Sequence, residues 1–76
     1  MRYLEDHLSE EMIDTLTYEI AKICDDDLYI DSTLSAFETD DDARELLEFL
    51  KKHPEATRSD IDFCTVRIYN KTHPHQ

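Results

Sequence analysis

The sequence predicts a mainly α fold, a small three-helix domain with a short irregular or β-like segment between helices 1 and 2, and three observations carry that expectation. The chain holds no glycine and only two prolines. Tight two-residue hairpins lean on glycine for positive φ, so such a chain is built more readily from helices than from meandering strands. Apolar residues recur at helical spacing in two stretches, Met12 to Cys24 and Ala43 to Leu50. Each stretch follows a Ser or Thr suited to capping and carboxylates suited to the positive end of a helix dipole.

Ser9 is the expected N-cap of the first helix, with Glu10 and Glu11 in its first turn. Met12, Ile13, Leu16, Ile20, Ile23 and Cys24 then form one apolar face, so the helix is expected over residues 10 to about 25. Tyr3, Leu4 and Leu8 suit a short preceding turn on the same core. Between the helices, Leu28 to Phe37 is long for a helix-to-helix connection and must contain local structure. A strand at 28–30 and a single helical turn over 33–37 would each bury Leu28, Ile30, Leu34 and Phe37.

Thr39 caps the next helix, with Asp42 placed as the reciprocal acid of a capping box and Asp40 and Asp41 in the first turn. Ala43, Leu46, Leu47 and Leu50 supply the buried stripe. Lys51, Lys52 and His53 close the last turn ahead of Pro54, so acid at the start and base at the end match the dipole over residues 40–52. The last segment, Ser59 to Lys71, fits both a strand and a helix. Asp62, Cys64, Val66 and Ile68 alternate, while Ile61, Cys64, Thr65, Ile68 and Tyr69 share one helical face. A capping box from Thr57 with Asp60, or Ser59 with Asp62, favours the helix; the runner-up is an α+β fold with residues 61–69 as a strand. Residues 1–71 read as one domain and residues 72–76 as a tail.

Charge is the best lead to function. Of a formal net charge of −11, residues 25–48 contribute −9, with ten Asp and Glu against Arg44 alone, whereas residues 49–76 hold five bases and three acids. Such a field repels nucleic acid and attracts cations or basic proteins. Asp40 to Asp42 are accounted for as first-turn residues. Asp25, Asp26 and Asp27 fall instead at the expected end of the first helix, where exposed carbonyls make carboxylates destabilising, so stability does not account for them. With the first two helices antiparallel, both triplets meet at one pole together with Asp31 and Glu38. The expected partner-binding residues are therefore Asp25, Asp26, Asp27, Asp31, Glu38, Asp40 and Asp41, and the expected partner is a basic protein. A narrower form is an acidic nucleic-acid mimic that occupies another protein's basic groove.

A second class of function is a cation-responsive loop. Asp27, Asp31, Thr33, Leu34, Ser35 and Glu38 stand at positions 1, 5, 7, 8, 9 and 12 of a twelve-residue window, which is similar to a calcium-binding EF-hand loop. The resemblance implies divalent-metal ligation by Asp27, Asp31 and Glu38. It departs from the pattern at Tyr29, which holds a ligand position, and at Ser32, where the turn needs glycine.

Leu46 to Ile61, a leucine-rich helix, a Pro-containing turn and a capped second helix, resembles the opening of winged-helix and helix-turn-helix domains. No basic recognition helix follows Tyr69 and the chain is acidic, so direct nucleic-acid binding is not expected.

The absence of glycine removes phosphate-cradling loops, dinucleotide fingerprints and nucleophile elbows in their standard form. Cys64 with His53 or His7 has no nucleophile signature around it, and carboxylate pairs are too abundant to single one out, so no enzymatic activity and no cofactor are expected. Cys24 and Cys64 lie in apolar surroundings that suit buried free thiols, with a disulfide between them as the alternative. No apolar run reaches the roughly 18 to 20 residues that span a membrane. The sequence therefore reads as a cytoplasmic, non-enzymatic module; its modest core suits a homodimer, and a purely structural oligomer is the third alternative.

Overall fold

The computed structural model describes residues 8–72, which form four helices: α1 (Glu10–Ala21), α2 (Asp27–Leu34), α3 (Asp40–Lys52) and α4 (Arg58–Thr72). The fold is mainly helical, as the sequence predicts, with no strand among the described residues. Expectations for Tyr3, Leu4, His7 and residues 73–76 lie outside them. Thr72, assigned to the tail from sequence, closes α4.

Each helix starts on a side-chain cap, which fixes the boundaries locally. Met12 N–H donates to Ser9 Oγ at 3.2 Å, and Asp42 N–H donates to Thr39 Oγ1 at 3.2 Å. Thr57 N–H donates to Asp60 Oδ2 at 3.0 Å, choosing the first of the two expected capping boxes and making residues 61–69 helix rather than strand. The fourth cap was not foreseen. Asp26 Oδ1 accepts from the N–H groups of Leu28 and Tyr29 at 3.0 and 3.3 Å, opening α2 where the sequence suggested an irregular or β-like segment. α1 also stops at Ala21, with Lys22 as its C-cap, rather than near residue 25, and by Asp26 the backbone is extended, φ −138° and ψ 110°. No described residue has positive φ, in keeping with a chain that lacks glycine.

The helices run alternately up and down. Ser9 N–H donates to Asp40 Oδ1 at 2.9 Å, joining the starts of α1 and α3. Glu19, Lys22 and Ile23 line a groove with Leu50, Lys51 and His53, joining their ends. α1 and α3 are therefore parallel, which the intervening α2 makes necessary. Lys71 of α4 reaches Glu45 of α3 at 2.7 Å, so α4 folds back antiparallel to α3. A helix-turn-helix crossing of about 90–120° would hold these side chains far apart, so the 46–61 segment is a plain αα-hairpin.

The core is one cluster fed by all four helices and the α2–α3 linker, with Leu16, Ile20, Leu34, Leu46 and Ile61 fully enclosed and Phe37 almost so. Three of the four linker residues expected inside are buried. Leu28 is the exception at 82% exposure, because α2 turns Ile30, Thr33 and Leu34 inward and leaves Leu28 on the far face. Cys64 is buried and Cys24 half-buried, and both are free thiols.

Candidate functional site

The acidic residues sit where helix electrostatics places them, and that distributes them differently from the single pole expected. Asp25, Asp26 and Asp27 do not load the negative end of α1; they open α2, where Asp26 is the cap and Asp27 lies in the first turn. Asp26 and Asp27 are stabilising where they stand, which corrects the inference that stability leaves them unexplained. Asp→Ala at an N-cap typically costs about 1 kcal/mol, so Asp26→Ala should lower stability by that amount in urea melts while Asp26→Asn stays near parental. Equal loss in both variants would mean that the carboxylate acts through something other than capping.

Asp40 and Asp41 open α3. Asp40 does more than compensate the dipole: in a capping box the third helical residue bonds back to the N-cap N–H, but that residue in α1 is Met12. Asp40 supplies the missing acceptor from α3, and the bond from the Ser9 N–H holds its carboxyl below the usual carboxylate range. Asp41 pairs with Arg44 at 2.8 Å on the exposed surface, the only base within residues 25–48. Glu38 precedes the Thr39 cap at the same end.

Because α1 and α3 are parallel, the two triplets lie at opposite ends of the bundle, separated by about 18 Å, the length of a 12-residue helix. Glu10, Glu11, Glu38, Asp40 and Asp41 share one pole. Asp25 to Asp27 share the other with the basic end of α3 and the start of α4. Asp31 lies one turn beyond Asp27 on the same face of α2. None of the ten acids in residues 25–48 is buried.

The EF-hand-like window is helical over residues 27–34 rather than looped. Asp27 and Asp31 then share a face while Tyr29 and Thr33 turn elsewhere, so the side chains do not converge on one point. Among the described residues, no group of three or more His, Cys, Asp or Glu could hold a metal ion. Cys64 has its thiol pushed up chiefly by burial, with Arg67 opposing and Glu45 adding, which is the opposite of nucleophile activation. His53 packs on Phe49, centroids 4.5 Å apart, and approaches Glu55.

Two features escaped the sequence reading. Tyr29 closes the α2–α4 side of the bundle: its hydroxyl donates to Asp62 Oδ1 at 2.6 Å, with the Arg58 carbonyl a second acceptor at 3.4 Å, and the Arg58 guanidinium lies 4.3 Å from its ring. Phe63 and Val66 face solvent, 67% and 55% exposed, on the side of α4 opposite Ile61, Cys64 and Ile68. The signal was present, since neither residue falls on the apolar face that was counted as core. Tyr18 is also exposed, with Lys22 Nζ 4.9 Å from its ring centroid.

No known protein family matches the chain, and no match was found among curated proteins or solved structures. No helix among the described residues is long and apolar enough to cross a membrane.

Proposed function

We propose that this chain is a non-enzymatic interaction module that engages a basic macromolecular partner, a protein, through carboxylates at both poles. One observation carries the reading: ten exposed or partly exposed acids between residues 25 and 48 face Arg44 as the only base of that stretch, where it pairs with Asp41, while Lys71 of α4 reaches Glu45. A field of that density exceeds what four helix N-termini need, and it steers a cationic surface into contact. With the carboxylates at two ends about 18 Å apart, the partner's basic residues contact the ends and flank of the bundle rather than a single cleft.

The test is retention of basic proteins from a lysate on immobilised parent and on two neutralised variants, Asp25→Asn/Asp26→Asn/Asp27→Asn and Glu38→Gln/Asp41→Asn, eluted by salt. Asn keeps the Asp26 cap, so the first variant folds. A partner held by the parent should leave each variant at lower salt, because exposed charges are screened over about 10 Å at 0.1 M. Equal elution from all three would refute the carboxylate surface as the contact. Calcium separates the alternative class: a cation module would raise its melting temperature in millimolar calcium, whereas the interaction module should not respond.

A further inference from the structure

The outward face of α4 is the part of this surface that the fold does not use and the acidic field does not cover. Ser59, Phe63, Val66 and Asn70 are all exposed and lie in one stripe, at successive steps of four, three and four residues. The buried face of α4 is already complete without them, since Ile61, Cys64 and Ile68 supply it. α4 is also the helix where charge opposes association least. It carries Arg58, Arg67 and Lys71 against Asp60 and Asp62, in a chain of net −11.

We infer that this stripe is a self-association surface, on which α4 packs antiparallel against α4 of a second copy about a two-fold axis between Phe63 and Val66. The spacing selects that occupant. A four-three-four stripe reads the same in both directions, so antiparallel pairing sets Phe63 against the partner's Val66 and Ser59 against the partner's Asn70, and the reciprocal contacts follow by symmetry. Asp60 and Arg67 lie on one flank of the stripe, so the same register brings Arg67 toward the partner's Asp60 on that flank. Arg67 is already extended over its own stripe, its guanidinium 6.0 Å from the Phe63 ring centroid. In a two-fold dimer like faces meet, and the acidic outer faces of α1, α2 and α3 would repel their own copies.

One face of a 15-residue helix, about 22 Å long, offers only a small contact, so the dimer is expected to be weak, in the micromolar to millimolar range. Sedimentation velocity from about 10 μM to about 1 mM tests it, because mass action makes a weak dimer visible only over such a range. The parent mass should rise with concentration toward twice the 9.0 kDa of the chain. Val66→Asp and Phe63→Asp should stay at chain mass throughout, with helicity unchanged because both positions face solvent. The register has its own test. Ser59→Cys/Asn70→Cys should form an intermolecular disulfide on oxidation well above the parent's own cross-linking, whereas Ser59→Cys alone should not, its thiols lying about 16 Å apart along the axis. A parent that stays monomeric at about 1 mM overturns the proposal, as does a Val66→Asp chain that dimerises like the parent, or Ser59→Cys alone linking as fast as the pair.

Discussion

Phe37→Ala is expected to remove about 3–5 kcal/mol of stability, a large share of what this domain has. Phe37 belongs to no helix. It sits in the linker between the C-cap of α2 and the N-cap of α3, yet it is 1% exposed and the largest side chain buried to that degree. Its N–H donates to the Leu34 carbonyl at 3.2 Å, which carries the α2 stripe of Ile30, Thr33 and Leu34 one turn further into the core. Truncating a buried Phe to Ala costs about 3–5 kcal/mol. At about 0.05–0.15 kcal/mol per residue, a chain of 76 residues has only about 4–11 kcal/mol to lose. Urea denaturation followed by helicity should show the midpoint falling by at least about a quarter, and to near zero denaturant at the low end of that stability range. A loss below about 1 kcal/mol would mean that the linker lies over the core without being part of it.

Tyr29 gives the second large effect, an alkaline loss of stability. Burial pushes its phenol up from 10.0 to about 12, reinforced by the hydrogen bond to Asp62 and by that carboxylate's charge, with Thr33 and Arg58 opposing. The sign follows from linkage. The folded state holds the proton more tightly than the unfolded chain, so the contribution is fully present below pH 10 and is lost as pH rises from there to about 12. The pair is partly open to solvent, so screening holds the contribution to about 1 kcal/mol. Stability of parent and Tyr29→Phe, compared between pH 9 and 12, isolates the group, because the other tyrosines and the lysines titrate in both. The difference between the two chains should shrink through that window. A constant difference would show that the phenol is no better protonated in the fold than out of it.

These effects converge on α2, where sequence and structure part most clearly. An isolated helix shorter than about 12–15 residues is marginal in water, so the eight residues of α2 cannot be helical on their own account. Asp26 starts it, Ile30, Leu34 and Phe37 anchor it to the core, and Tyr29 fastens it to α4. Only the first of these partners is close in sequence. Asp25 to Asp27 were therefore legible as an acidic run but not as a helix start, and the consequence spread. An added helix reverses the chain once more, makes α1 and α3 parallel, and sends the two triplets to opposite poles.

The residues themselves determined what is decided within three or four positions. The caps at Ser9, Thr39 and Thr57, the buried stripes of α1 and α3, the dipole-matched charges of α3 and the absence of a left-handed residue among those described all follow from neighbours along the chain. Only the tertiary structure decided that Asp40 completes the cap of α1 across 31 positions, that Leu28, Phe63 and Val66 point outward, and that the carboxylates form two ends instead of one. The physical reason is the range of the interactions. Capping and periodicity act through bonds and side chains one turn apart, whereas the direction of a short helix, and every surface that depends on it, is fixed by which distant apolar side chains it buries.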